Sequence, residues 1–370
     1  MKQRKKVDGP LIIILEKIYY VEKVEEAMVL TKEIRPHYFT SVPRLLEKFY
    51  EFILEKGNEK GWLVRKILHW AIAVGERFPD KRRMGLGYWI KLKIANLLVF
   101  RIWRRALGNK VQGIVVGAAA LQPKLARLFS AARMKVREGY GLTETSPVVS
   151  SNHFEPGLYR FGTVGIPVPG VEVKIHEPDE SGEGEILVKG PNVMMGYYKK
   201  PKETAKVLRE DGWFHTGDVG KFVQKRFLQI TDRKKDIFKT STGKYVAPQI
   251  IENHLKASPF VEQCMVLGFR RPFVSALIVP SFAMLENWCK ENSVHWTAPR
   301  YMVLNPKVHE FFQTIIDDCN ERHSNHQKIK KFTLLHENWT IEKGEVTPTL
   351  KLSRPSILKH REKEIEKMYR

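Results

Sequence analysis

One stretch narrows the fold more than any other. Residues 111–116 form an apolar strand pattern, 122–132 an amphipathic helix pattern and 134–137 a second short strand. Within the helix, Leu125, Leu128, Phe129 and Ala132 recur at the spacing that gathers them on one face. Strand, helix and strand joined by short links predict a crossover between parallel strands, and so an α/β sheet. Small-residue loops follow both strands, at 117–121 and 139–147. In open parallel sheets, ligands bind at loops leaving the strand C-termini.

The rest of the chain divides around this unit. Ser41-Val-Pro43 opens a predicted helix that runs to about Lys56 and stops at Gly57, with Leu45, Leu46, Phe49 and Ile53 on one face. Helical patterns follow at Trp62–Glu76 and 88–107. From Gly157 the texture changes to short alternating runs, such as 171–175 and 184–188, between Gly, Pro and Asp turns; this predicts a β-rich subdomain. The segment Val223-Gln-Lys-Arg-Phe227 reads as a glycine-free hairpin, unusual but tolerable if it is a type I turn. After Asp232 the pattern is mixed: strands at 264–268 and 276–279, helices at Phe282–Glu291, 308–323 and 356–369. The expected division is an α/β part over 1–156, a β-rich part over 157–234 and a separate domain over 235–370, with the boundary on Arg233-Lys-Lys-Asp236.

Composition limits the class of protein. With 370 residues, 43% hydrophobic and 11% aromatic, the chain can fill two globular cores. Leu11-Ile-Ile-Ile-Leu15 is too short to span a membrane and reads as a buried strand or core turn. Met1-Lys-Gln-Arg-Lys-Lys6 imitates the start of a signal peptide, but no cleavage site follows. Three widely spaced cysteines, Cys264, Cys289 and Cys319, point to reduced thiols in the cytoplasm. The net charge of +22, with clusters such as Lys81-Arg-Arg83, calls for an anionic partner: nucleic acid, a membrane surface, or ligands such as ATP and coenzyme A. No zinc-finger, basic-zipper or RNA-recognition pattern is present, so the reading is against nucleic acid and favours a solvated or membrane-facing surface.

Several short motifs carry polar chemistry. In Gly139-Tyr-Gly-Leu-Thr-Glu-Thr145 two glycines allow close backbone approach, Thr143 offers a hydroxyl to a phosphate and Glu144 a hard oxygen to Mg²⁺. Glu144 stands where a dinucleotide fingerprint needs its third glycine, so that reading is rejected. The small residues of Val116-Gly-Ala-Ala-Ala-Leu121 suit either a flat ring or close helix–strand packing. In Asp211-Gly-Trp-Phe-His-Thr-Gly-Asp218, the Asp218 carboxylate on a turn can accept two hydrogen bonds from a ribose diol; a turn-forming Asp is the alternative. His215 reads as structural. Thr240-Ser-Thr-Gly-Lys244 lacks the spacing of a phosphate loop. Cys319, His323 and His326 could share a helix face as metal ligands, but no fourth ligand suggests itself.

Read in order, 139–147, 211–218 and Ile230-Thr-Asp-Arg-Lys-Lys-Asp236 resemble the AMP-forming acyl-CoA synthetases, most closely the long-chain fatty acyl-CoA synthetases. The likeness runs from about Ile34 to the C-terminus. Arg35-Pro-His-Tyr-Phe-Thr-Ser-Val-Pro-Arg-Leu-Leu-Glu-Lys48 and the helical insert before Val111 carry the likeness to the long-chain branch. The resemblance implies the remainder of a large N-terminal AMP-binding domain followed by a mobile C-terminal lid. It also implies ligation of a fatty acid to coenzyme A through an acyl-adenylate, with ATP and Mg²⁺. It assigns catalysis to Lys351 (in Pro348-Thr-Leu-Lys351), to Thr143 on the AMP phosphate and to Glu144 on magnesium. It assigns Gly117, Ala118 and Ala119 to the adenine face, and Tyr140, Gly141, Asp218 and Arg233 to the nucleotide. It also places Gly243 at the border of the coenzyme A channel and makes Lys235 the hinge.

Three departures from the family follow. It more often has glycine at Ala118, and an acidic, glycine-containing turn at 223–227. Its Ser/Thr/Gly-rich phosphate loop, which lies upstream, is absent from these residues. The expectation is therefore a truncated or split ligase, completed by a partner chain, cytoplasmic or peripheral on a membrane. The competing expectation is a non-catalytic remnant that binds nucleotide weakly, or binds an acidic membrane surface or a partner protein.

Overall fold

The computed structural model describes residues 18–21, 27–80, 84–347 and 351–370. The expected strand or core turn at 11–15, the basic clusters at 1–6 and 81–83, and Pro348 lie outside them. Parallel pairing appears where the strand–helix–strand pattern predicts it. Strand β1 (Tyr38–Ser41) pairs in parallel with β2 (Gly113–Val116), and β2 with β3 (Lys135–Gly141). The sheet is mixed, because β4 (Val148–Ser151) and β5 (Ile166–Pro167) continue it antiparallel. The connecting helix Pro123–Ala131 buries Leu125, Leu128 and Phe129, as its periodicity requires.

Three helical stretches cover this sheet. The helix Pro43–Asn58 starts with proline in its first turn and buries Leu46, Phe49 and Leu54. It runs through Gly57, one residue beyond the expected stop. Helix Trp62–Glu76 packs so closely at Gly75 that a Cβ there would lie 2.5 Å from Leu128 Cδ1. The third stretch contains a π-helical turn, Asn96–Phe100, between Leu86–Ala95 and Arg101–Ala106. It buries Phe100 against Trp103, edge to face at 5.1 Å. Truncating a fully buried ring such as Phe129 in this core costs about 3–5 kcal/mol.

The β-rich part is an antiparallel sheet of β6 (Glu172–His176), β7 (Gly184–Lys189), β8 (Phe214–Val223) and β9 (Phe227–Arg233). The turn between β8 and β9 is not the type I turn that would make a glycine-free hairpin tolerable. Gln224 and Lys225 both have positive φ, 53° and 57°, and the Arg226 amide donates to Val223 O. That is a type I′ turn, which matches strand twist but strains two non-glycine residues.

Beyond β9 come a small hairpin, β10 (Phe238–Lys239) with β11 (Tyr245–Val246), and a sheet of β12 (Val261–Leu267), β13 (Val274–Pro280) and β14 (Ile329–Leu334). Cys264, Val266, Ala276 and Ile278 face a core shared with helices Pro248–Leu255 and Pro306–Glu321. Met265, Leu267, Leu277 and Val279 face the C-terminal helices. Burial of both faces explains why these strands read as continuous apolar runs. The expected final helix is two helices, Arg354–His360 and Glu362–Tyr369. All three cysteines are buried and free.

Candidate active site

The tripeptide Thr216-Gly-Asp218 owes its geometry to a bulge. Leu187 pairs with His215 and Glu185 with Val219, so four steps along β8 oppose two along β7. Gly217 takes up the extra length at φ 71°, in the left-handed region. The result turns Asp218 inward, where it is 3% exposed. Asp218 thus lies within a strand, which corrects the expectation of a turn. Its amide donates to Thr216 Oγ1 at 3.1 Å, and the Thr216 hydroxyl donates to Ile186 O.

Both Asp218 oxygens are engaged. The Tyr140 hydroxyl donates to Oδ2 at 2.7 Å, and Arg233 Nε donates to Oδ1 at 2.9 Å. Arg233 is the register partner of Asp218 across β8 and β9, and its side chain is half exposed. Burial and the Asp218 charge push the Tyr140 phenol well above its usual range, so it stays a donor. Lys351, itself exposed, lies within electrostatic reach of this group. Partial burial and Arg233 depress its pKa while Asp218 raises it. A narrow antiparallel bridge, Val346 to Leu352, presents it, and its amide donates to Thr347 Oγ1.

The other predicted residues border this cluster or stand apart. β3 runs through Gly141 before the chain turns. At Gly141 a Cβ would lie 1.6 Å from Pro147 O, so the chain's own turn requires glycine there. Thr143 and Glu144 follow in a single 3₁₀ turn, Thr143–Thr145, with Thr143 exposed. Thr145 pins this turn by accepting from the Leu142 amide and donating to Pro147 O. Gly117, Ala118 and Ala119 leave the end of β2; a Cβ on Gly117 would lie 3.8 Å from Gly139 O. Ala118 has φ 70°, which gives a physical reason for glycine at that position. Lys235 is exposed in the turn after Arg233. Gly243, at φ 83°, lies in the β10–β11 hairpin beside Lys239. His215 Nδ1 lies 3.0 Å from Glu185 Oε2, and His323 pairs with His254 at 2.8 Å.

Sequence reasoning missed the strap formed by residues 192–197. The Asn192 amide donates to Thr145 O and Val148 O, the Met194 amide donates to Glu144 O, and the Tyr197 hydroxyl donates to Glu144 Oε1 at 3.1 Å. Only its polar residues after a glycine turn hinted at this. The clefts lined by Arg44, Gln122 and Lys256 and by Trp89, Arg133 and Arg137 contain none of the predicted residues.

Known proteins resemble this chain in sequence and in fold. The AMP-binding enzyme family profile matches residues 14–198, and that of the AMP-binding enzyme C-terminal domain matches 235–370. Long-chain-fatty-acid–CoA ligase FadD15 of Mycobacterium bovis is 32% identical over 357 residues, covering 95% of this chain and 57% of that protein. Long-chain-fatty-acid–CoA ligase 6 of Mus musculus is 35% identical over 357 residues, covering 91% and 48%. The chain therefore spans about half the length of these relatives. The A-PCP didomain of carboxylic acid reductase from Segniliparus rugosus, in complex with AMP, superposes with a TM-score of 0.69 at 22% identity, over 95% of this chain and 44% of that one. That likeness establishes the fold, and the family match shows that the chain belongs to the AMP-binding enzyme family.

Proposed function

We propose that the chain carries the adenylate-binding cluster and the catalytic lysine of a long-chain fatty acid–CoA ligase. The observation that carries this reading is that Lys351, within the region the C-terminal profile matches, lies in electrostatic reach of Arg233 and of the buried Asp218, which also accepts from Tyr140. The names of the relatives support the substrate class.

Each residue then has a role that its chemistry allows. Asp218 keeps lone pairs beyond its two present bonds, and accepts the ribose hydroxyls. Arg233 pairs with that carboxylate and faces the ribose. Thr143 donates to the α-phosphate. Lys351 brings a cation to the phosphorus as the fatty carboxylate attacks it, which stabilises developing charge. Glu144 suits Mg²⁺, because Tyr197 fixes one carboxylate oxygen and leaves the other; a single carboxylate with substrate phosphates is a common magnesium donor set. Bound there, the ion neutralises phosphate charge. The small residues 117–119 flank the adenine.

The turn at Lys235 is the hinge in this reading. Rotation there carries Lys351 away and brings the hairpin with Gly243 to the coenzyme A channel. The cores on either side of the turn serve as the two bodies, 1–234 and 235–370. Phosphate contacts from the remaining length of the family complete the ATP site, in the same polypeptide or a partner chain. The excess positive charge favours a peripheral seat on an anionic membrane from the cytoplasmic side.

The test has two arms. One supplies palmitate, ATP, Mg²⁺ and coenzyme A; the other supplies palmitoyl-AMP and coenzyme A. Thioester is measured in both. Thioester in the second arm, lost in Asp218→Ala and retained in Lys351→Ala, supports the reading. Thioester in neither arm contradicts it and leaves nucleotide binding as the only activity.

A further inference from the structure

A second enclosed carboxylate stands behind the Asp218 bulge. The Glu185 side chain, on β7, is 10% exposed, and both of its oxygens are engaged. Oε1 accepts from the Gly217 amide at 3.2 Å. Oε2 accepts from the Lys234 ammonium at 3.0 Å and lies 3.0 Å from His215 Nδ1. Burial raises the Glu185 carboxyl, but the hydrogen bonds and charges of His215 and Lys234 outweigh it and hold its pKa below the ordinary value. Glu185 is therefore ionised at neutral pH, and a carboxylate only accepts, so His215 Nδ1 carries the proton between them.

These contacts close a ring. Glu185 holds the amide of Gly217, the Lys234 amide donates to Gly217 O at 2.8 Å, and the Lys234 ammonium returns to Glu185. Gly217 is the left-handed residue that turns Asp218 inward, and no atom outside its chain neighbours packs where a Cβ would sit. Glycine leaves such a bulge many conformations, so the hydrogen bonds at its two ends select one. Lys234 stands between Arg233, the register partner of Asp218, and the turn at Lys235. The ring thus joins the bulge that aims Asp218 to the first residue of that turn. Exposed ion pairs contribute little, but here one partner is enclosed and serves three donors with a single charge.

We propose that Glu185 is a positioning residue that couples the nucleotide site to the hinge turn, by tying the Gly217 bulge to Lys234. It touches no substrate and acts through Asp218 and Arg233, the neighbours of the two residues it holds. Movement of the turn pulls on the Gly217 carbonyl and on the Glu185 carboxylate together, so the aim of Asp218 follows the position of the turn. The inference rests on the ligase reading for the meaning of the two ends, and gives a role to a residue which that reading leaves without one.

Two readouts on the 370-residue chain test it. AMP is titrated by calorimetry; separately, without nucleotide, tryptic cleavage after Arg233, Lys234 and Lys235 is timed by mass spectrometry. Glu185→Gln keeps an acceptor for the Gly217 amide but loses the charge. It should weaken AMP binding roughly three- to tenfold and speed cleavage roughly threefold or more. Lys234→Met should also weaken AMP binding, and the double variant should bind no worse than the weaker single one. Lys234→Arg keeps the cation and should bind close to wild type. Lys221→Met removes the ion pair of Lys221 with Glu183 on the same sheet, and should change neither readout. Circular dichroism checks that each variant is folded. The proposal is overturned if Glu185→Gln leaves either readout unchanged, if the two losses add, or if Lys234→Arg loses as much as Lys234→Met. A wild-type chain that binds no AMP counts against the ligase reading instead, and the cleavage rate of Glu185→Gln then decides whether the ring braces the turn.

Discussion

Replacing Arg354 by methionine should cost stability and loosen the segment that presents Lys351. Arg354 follows Lys351 by three residues and ties that segment to the C-terminal core. Its Nη2 donates to Glu252 Oε1 at 2.5 Å and its Nη1 to Val266 O at 3.1 Å, and Asp236 lies 3.8 Å from Nε. Glu252 is 6% exposed, and the same Oε1 also accepts from the Val266 amide at 2.8 Å. Removing the arginine strands a carboxylate that has no route to water. A fully buried pair broken in this way loses about 3–5 kcal/mol. The Arg354 side chain is 21% exposed; with that partial solvation the expected loss is about 2–4 kcal/mol. With a urea slope of about 1–3 kcal/mol per molar, the midpoint should fall by roughly 1–2 M. Glu252→Gln combined with Arg354→Met removes the stranded charge and should recover about 1 kcal/mol or more. A midpoint within 0.3 M of wild type (about 0.5 kcal/mol), or strict additivity of the two changes, would refute the reasoning.

Two further outcomes follow from backbone strain and from buried acids. Gln224→Asn with Lys225→Gly gives the type I′ turn residues that tolerate positive φ, and should stabilise the chain by about 0.5–1.5 kcal/mol; an unchanged or lower urea midpoint contradicts the turn assignment. Burial raises Glu138 to about 8 and Asp232 to about 7, so the folded chain keeps protons that the unfolded chain releases near pH 4. Stability should therefore fall as pH rises from 6.5 to 8, and Glu138→Gln should flatten that slope. His323, depressed to about 4 chiefly by burial, acts in the opposite sense but only below about pH 6.5. A wild-type midpoint that is level across pH 6.5–8 counts against the buried-acid account.

Much of the architecture was legible because it rests on periodicity. The helix Trp62–Glu76 matched its pattern, and the crossover from β2 to β3 followed from apolar spacing alone. What escaped had no periodic signal. β1 is four residues long and only partly buried, and β14 carries the adjacent exposed residues Lys330 and Lys331, which interrupt its apolar pattern. The break at Arg361 divided the expected last helix. Within the site, the residue types of Asp218, Arg233 and Lys351 stood out, but Asp218 and Arg233 meet only through the β8–β9 register, and Lys351 approaches them from a segment more than a hundred residues further on. The inward turn of Asp218 comes from a bulge that only the register with β7 reveals. The hydroxyl of Tyr140 on Asp218 and the strap through Asn192 and Tyr197 are tertiary contacts of the same kind.

The measurement that bears most directly on the account is calorimetric titration of the chain with AMP, beside Asp218→Ala and Tyr140→Phe. Asp218 is the group on which the tyrosine, the arginine and the lysine converge. Losing a charge-assisted contact to the ribose should cost about 1.5–3 kcal/mol, or roughly a 10- to 150-fold weaker Kd. Tyr140→Phe keeps the carboxylate and should weaken binding by less than Asp218→Ala does. Equal affinity in the wild type and a folded Asp218→Ala variant would show that the nucleotide does not use this carboxylate, and would contradict the site as described.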